Sequence, residues 1–66
     1  MQIALNGQPH TVSGDATVAA LLQALDLSAK RLAVEINGEV LPRSAHASHR
    51  LQADDKVEIV QAIGGG

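Results

Sequence analysis

The sequence predicts an α+β domain in which one helix lies across one face of a mixed sheet. Three observations predict it. Two alternating apolar segments are each closed by an Asn-Gly pair, at Asn6-Gly7 and Asn37-Gly38. Between them, Val18, Leu21, Leu22 and Leu25 form one apolar stripe at helical spacing. Near the end of the chain runs a β-branched stretch, Val57-Glu58-Ile59-Val60-Gln61-Ala62-Ile63. Period-two alternation marks half-buried strands, and the i, i+3, i+4, i+7 stripe marks a half-buried helix. Two such surfaces are stable only when each buries the other.

In chain order, Met1-Gln2-Ile3-Ala4-Leu5 places Met1, Ile3 and Leu5 on one face. Asn6-Gly7 then predicts a hairpin, because a type I′ turn needs positive φ at both central residues. Pro9 to Val12 is the return strand. Pro9 cannot donate to a ladder, so this strand belongs at an edge. Ser13 to Ala16 is a turn. Thr17 is a helix N-cap, its hydroxyl oxygen placed to accept from a first-turn amide. The helix that follows spans about eight to ten residues by its stripe. A helix this short is marginal alone and must pack on the sheet. Residues 26–30 are a loop in which Leu27 closes the helix end. Leu32, Val34 and Ile36 point inward from the next strand, Asn37-Gly38 turns it, and Glu39-Val40-Leu41 returns until Pro42 ends it. Residues 43–50 are polar and weakly patterned, with room for a short helical turn, and Leu51 returns to the core. Ala53 to Lys56 is a turn before the last strand.

Composition narrows the function. With 66 residues, this is one domain. A chain of this size buries only about 60% of its unfolded surface, so modest stability is expected. The absence of cysteine excludes a disulfide framework, a thiolate metal site and a Cys nucleophile. The formal net charge is −2, there is no Lys/Arg cluster, and aromatic content is 0%. No nucleic-acid partner is therefore expected. There is no signal-like segment and no apolar run of membrane length, so a soluble, cytoplasmic protein without a membrane partner is expected.

Few side chains suggest chemistry. His46 and His49 have i, i+3 spacing, but a zinc site needs three or four ligands, so they read as solvated loop residues and no metal is expected. His10 reads as exposed on its edge strand. Asp54-Asp55 reads as turn rather than as a carboxylate pair. Arg50 reads as surface charge, and Arg43 stays open between surface and partner contact. The glycine triplet, Gly64-Gly65-Gly66, follows the last strand directly. It has no side chain to pack and the most backbone freedom to lose. It reads as a flexible tail on a domain of residues 1–63, thin enough to enter a slot that a β-carbon would block. On the last strand Val57 and Ile59 share one face, while Glu58, Val60 and Ala62 share the other, which Glu58 marks as the wet one. Val60 and Ala62, joined by Leu41, then form a partner-docking patch beside the tail.

Several segments resemble the ThiS family of ubiquitin-like sulfur carriers in thiamine biosynthesis. They are Ile3-Ala4-Leu5-Asn6-Gly7, Thr17 to Leu22, Val34 to Arg43, Leu51 to Val60 and Ala62-Ile63-Gly64-Gly65-Gly66. Asp54 departs from the pattern, standing in a turn where relatives often have Gly; Asp tolerates the left-handed region better than most residues. The resemblance implies a ubiquitin-like β-grasp with a four- to five-stranded mixed sheet, its first and last strands adjacent in the middle. It also implies a carrier, not an enzyme. An E1-like, ThiF-type adenylyltransferase consumes ATP to activate the Gly66 carboxylate, and a persulfide donor converts it to a thiocarboxylate. Gly64 to Gly66 thread into the partner sites, and a ThiG-type thiazole synthase takes the sulfur. The chain itself binds no cofactor in this scheme. The same tail chemistry would also serve a carrier resembling the small subunit of molybdopterin synthase, or a ubiquitin-like protein modifier.

Overall fold

Both Asn-Gly pairs are tight turns with positive φ at each central residue. Asn6 and Gly7 sit at φ 50° and 84°, and Asn37 and Gly38 at 52° and 87°, as a type I′ connection between twisted strands requires. These values come from a computed structural model, which describes residues 1–28 and 31–61. The first turn joins β1 (Gln2–Leu5) to β2 (Gln8–Thr11). The second joins β3 (Leu32–Ile36) to β4 (Glu39–Leu41). Between the hairpins lies α1 (Val18–Ala24), and β5 (Lys56–Gln61) comes last.

The strand order is β2-β1-β5-β3-β4. β5 runs parallel to β1 and antiparallel to β3, so the first and last strands in sequence lie side by side in the middle. With α1 on one face, this is the ubiquitin-like β-grasp. Pro9 sits on the edge strand β2, where its missing N–H costs no interior ladder bond.

One face of the sheet carries Ile3, Val34, Ile36 and Val57 into the core, where they meet Val18, Leu21 and Leu22 of α1. Ala16 and Leu51 close the ends of this cluster. Val18, Val34 and Val57 are completely buried. The core is aliphatic throughout, so its stability rests on many small side chains rather than on a few large rings.

α1 has 7 residues, fewer than its stripe predicts, and its stop has a clear cause. Asp26 turns left-handed, with φ 61°. Its N–H then donates to the Gln23 carbonyl at 3.0 Å, and the Leu27 N–H donates to the Leu22 carbonyl at 2.8 Å. This is the Schellman closure, usually built on glycine. Leu27 packs against the core from just beyond it. At the other end the Thr17 Oγ1 accepts from the Ala20 N–H at 3.1 Å, so Thr17 is the N-cap.

The segment after Pro42 holds a single 3₁₀ turn, Arg43–Ala45. It then places two carbonyls on the helix start: Val18 N–H donates to the His49 carbonyl at 3.0 Å and Ala19 N–H to the His46 carbonyl at 2.9 Å. Asp54 has φ 69°, so the turn before β5 uses an aspartate in the left-handed conformation.

Three expectations need correction. His46 is not solvated; it is 8% exposed, and its Nε2 lies 3.3 Å from the Leu41 carbonyl oxygen. His10 is half-buried, because it stands opposite Ile3 in the β1–β2 pair and so shares the core face. Leu41 is also turned to the core. The proposed tail, residues 64–66, lies outside the described residues, as does Ala62.

Leu22→Ala is expected to destabilise the domain by about 2–5 kcal/mol, the usual range for a buried leucine truncation. Asp26→Gly is expected to act the other way, adding a few tenths to about 1 kcal/mol by relieving the left-handed strain. Urea melts of both variants check this. A Leu22→Ala curve matching the parent, or a less stable Asp26→Gly, would contradict the packing and closure described.

Candidate functional site

The site is the sheet face that α1 leaves open, together with the end of β5. Its geometry follows from alternation. Val57 is buried and Ile59 packs against the core, so Glu58 and Val60 point the other way. Val60 is 57% exposed, as expected from the sequence. Gln61 falls on the nominal core side but is exposed, at the point where β5 leaves the core.

Cross-strand register fills in the face. Ala33 stands opposite Val60, Glu35 opposite Glu58, and Val40 opposite Glu35. Partners directly opposite in an antiparallel pair share a face, so Val40 belongs with Val60. At 69% exposure Val40 is the more open of the two, and these are the exposed large hydrophobic residues among the described part of the chain. Val40 therefore replaces Leu41 in the patch. A signal for this exists in the sequence. A two-residue turn at Asn37-Gly38 pairs Ile36 with Glu39, hence Val34 with Leu41. Val34 points inward, so Leu41 must too. Of the sequence-predicted site residues, Val60 lies on the open face, while Ala62, Gly64, Gly65 and Gly66 lie outside the described residues.

The two turn asparagines brace β5 from both sides. The Asn6 side chain pairs with the Ile59 peptide: Ile59 N–H donates to Oδ1 at 2.8 Å, and Nδ2 donates to the Ile59 carbonyl at 3.4 Å. On the other side Lys56 N–H donates to Asn37 Oδ1 at 2.9 Å, and Asn37 Nδ2 donates to Asp55 Oδ1 at 3.0 Å. Asp55 Oδ2 accepts the Gln52 N–H at 2.9 Å. Asp55 is thus a buried, doubly satisfied turn residue, and Asp54 is exposed beside it.

Elsewhere the surface offers little for chemistry. The first amides of α1 are taken by Thr17, His46 and His49, leaving no seat for an anion. A shallow crevice of about 230 Å³ lies between α1 and the 3₁₀ turn, lined by Ala19, Leu22, Ser28, Arg43, His46 and Ala47. His46 is engaged there with the Leu41 carbonyl rather than with a hydroxyl. Among the described residues no group of three or more His, Cys, Asp or Glu converges on a metal-sized site, and no helix is long and apolar enough to cross a membrane. No hydroxyl among the described residues is hydrogen-bonded to a histidine or a carboxylate.

Comparison with known proteins gives this geometry a context. Residues 3–66 match the model of the ThiS family. The sulfur carrier protein ThiS of Escherichia coli K12 is 36% identical over 66 residues, a match that covers 100% of both chains. The crystal structure of a thiamine biosynthesis protein (ThiS) from Geobacter metallireducens superposes with a TM-score of 0.86 at 39% identity, again covering 100% of each chain. A thiazole synthase of Magnetococcus marinus is 41% identical over 66 residues, and there the chain spans only 20% of the relative's length.

Val60→Asp is expected to leave folding almost untouched, within about 0.5 kcal/mol, because an exposed position keeps the new charge solvated. Thermal melts check it. Unfolding of the variant at ordinary temperature would mean that the faces of β5 are assigned the wrong way round.

Proposed function

This chain belongs to the ThiS family, and from that premise we propose how it carries sulfur in thiamine biosynthesis. The reacting group in this reading is the carboxylate of Gly66. A carboxylate is a poor electrophile, so an adenylating partner first joins it to the α-phosphorus of ATP, releasing pyrophosphate. A persulfide sulfur then attacks the acyl carbon and AMP departs. Cleavage of the sulfur–sulfur bond by a thiol reductant leaves the thiocarboxylate. That sulfur is passed on to a thiazole synthase. The chain is carrier and co-substrate; nucleophiles, bases and ATP sites belong to the partners.

The observation that carries this reading is the match to the E. coli sulfur carrier over the full length of both chains, through residue 66. Two features support it. The chain has no cysteine, which would be an off-path acceptor for an activated acyl group. Residues 64–66 lack side chains, which suits threading past a nucleotide. The thiazole synthase that contains a segment similar to this chain supports the second partner, since a carrier-like segment and a synthase there share one polypeptide.

The test is intact-mass measurement after incubation with ATP, the ThiF-type adenylating enzyme of the same organism and a persulfide source. The expected result is a mass gain equal to replacing one oxygen by sulfur, located at Gly66. Removing Gly66, or adding one residue after it, is expected to abolish the gain and leave the melting curve unchanged. An extended variant that gains sulfur at the parent rate without trimming would overturn the proposal.

A further inference from the structure

The two Asn-Gly turns carry a reactivity that their place in the fold holds in check. The carbon of an asparagine side-chain amide is an electrophile, and the nitrogen of the next residue lies within reach of it. Asparagine is accordingly among the thermolabile residues. A glycine in the next position puts no β-carbon beside that nitrogen. Both turns are exposed to water. Each asparagine is nevertheless clamped to β5. The Asn37 N–H donates to the Lys56 carbonyl at 2.8 Å, and the Asn6 N–H to the Val57 carbonyl at 2.9 Å. Their side chains hold the same strand, Asn37 Oδ1 accepting the Lys56 N–H and Asn6 Oδ1 the Ile59 N–H. To react, either side chain must leave β5 and swing onto its own following peptide. The two sites differ in what Nδ2 touches. At Asn6 it makes one long, exposed contact, 3.4 Å to the Ile59 carbonyl. At Asn37 it donates to Asp55 Oδ1 at 3.0 Å. Asp55 is only 9% exposed, and its other oxygen is taken by the Gln52 N–H.

We propose that Asn37 is a site of spontaneous modification: it deamidates through Gly38 when β5 releases it, and its product cannot remake the contacts it came from. The Gly38 nitrogen attacks Asn37 Cγ. The N–Cγ bond forms, the Cγ–Nδ2 bond breaks, and the Gly38 proton leaves with Nδ2 as ammonia. Water then opens the cyclic imide. Opening at Cγ gives aspartate; opening at the main-chain carbonyl of residue 37 gives isoaspartate. The net change is one water consumed and one ammonia released, with no oxidant and no enzyme. Either product damages the anchor. Aspartate puts a second carboxylate oxygen where Nδ2 stood, 3.0 Å from Asp55 Oδ1, and two carboxylates in such contact cannot both stay ionised. Isoaspartate adds a methylene to the main chain of the two-residue loop that pairs Ile36 with Glu39, and loop length sets hairpin register. At Asn6 an aspartate keeps the acceptor for the Ile59 N–H and loses only the long contact. The same dipeptide is thus a damaging site in one turn and a tolerant one in the other. The inference does not depend on how Gly66 is used.

The experiment incubates the full chain at neutral pH, in native buffer and in concentrated guanidinium chloride. Peptide mass mapping then scores replacement of the side-chain NH2 by OH at Asn6 and Asn37. Both are expected to react in denaturant, and native buffer is expected to slow Asn37 about a hundredfold or more, since ring closure waits on local opening. Thermal melts of variants test the product. Asn37→Asp is expected to melt about 10 °C below the parent, and Asn6→Asp within about 3 °C of it. The second variant controls for placing aspartate in an Asn-Gly turn. The double variant Asn37→Asp/Asp55→Asn exchanges donor and acceptor, and is expected to recover most of the loss. Equal rates at Asn37 in buffer and denaturant would overturn the gating by β5, and no reaction at Asn37 in denaturant would overturn the site itself. Asn37→Asp melting with the parent, or a double variant no more stable than Asn37→Asp, would overturn the Asp55 contact as the cause of damage.

Discussion

The fold depends on β5 being held along both of its edges. It is the last strand to be made and the central strand of the sheet, bonded in parallel to β1 and antiparallel to β3. Until it is in place, the two hairpins are separate two-stranded pieces, each marginal in water. Once it is in place, one sheet spans both hairpins and α1 has a continuous apolar surface to cover. The two turns take part directly. Asn6 presents its amide to the Ile59 peptide as a further ladder residue would. Asn37 does the same for the Lys56 N–H and ties Asp55 into the turn that launches the strand. An Asn-Gly pair is thus more than a permissive turn here: the glycine allows the angle, and the asparagine anchors the neighbouring strand.

In the proposed carrier function this arrangement matters, because there the chemistry is done by the partners. β5 is bonded along both edges, to β1 and to β3, and side chains of both turn asparagines add to it. In that proposal partners work on Gly66 while β5 stays bonded along both edges. The open face of the sheet exposes Val40 and Val60. A carrier must also be handed from one protein to another, so its contacts cannot all be maximally tight.

Much of the fold was legible because its signals are local. The Asn-Gly pairs, the stripe on α1, the Thr17 cap and the edge placement of Pro9 are each set by a few adjacent residues, and each appears where the sequence puts it. Strand order was different. It depends on which segments meet across long separations, and it came from resemblance rather than from pattern. The errors have physical causes. Leu41 turns to the core because the turn register pairs it with Val34, a link between strands that β4 by itself does not display. His46 was read as solvated because polar loops usually are; its burial follows from the backbone of that loop being used to cap α1. The helix came out shorter because Asp26 does what glycine usually does. Within the candidate site, Val60 was visible from alternation, while Val40 and the Glu35–Glu58 pairing needed the register between strands.

Native-state hydrogen exchange at the Lys56 and Ile59 amides tests the central role of β5 most directly. Both donate to asparagine side chains in the turns rather than to backbone carbonyls. If the turns truly lock the strand, these two amides exchange only when the whole domain unfolds, with the same free energy and denaturant dependence as the centre of the sheet. Exchange through a low-energy local opening, independent of denaturant while β1 and β3 stay protected, would contradict the account.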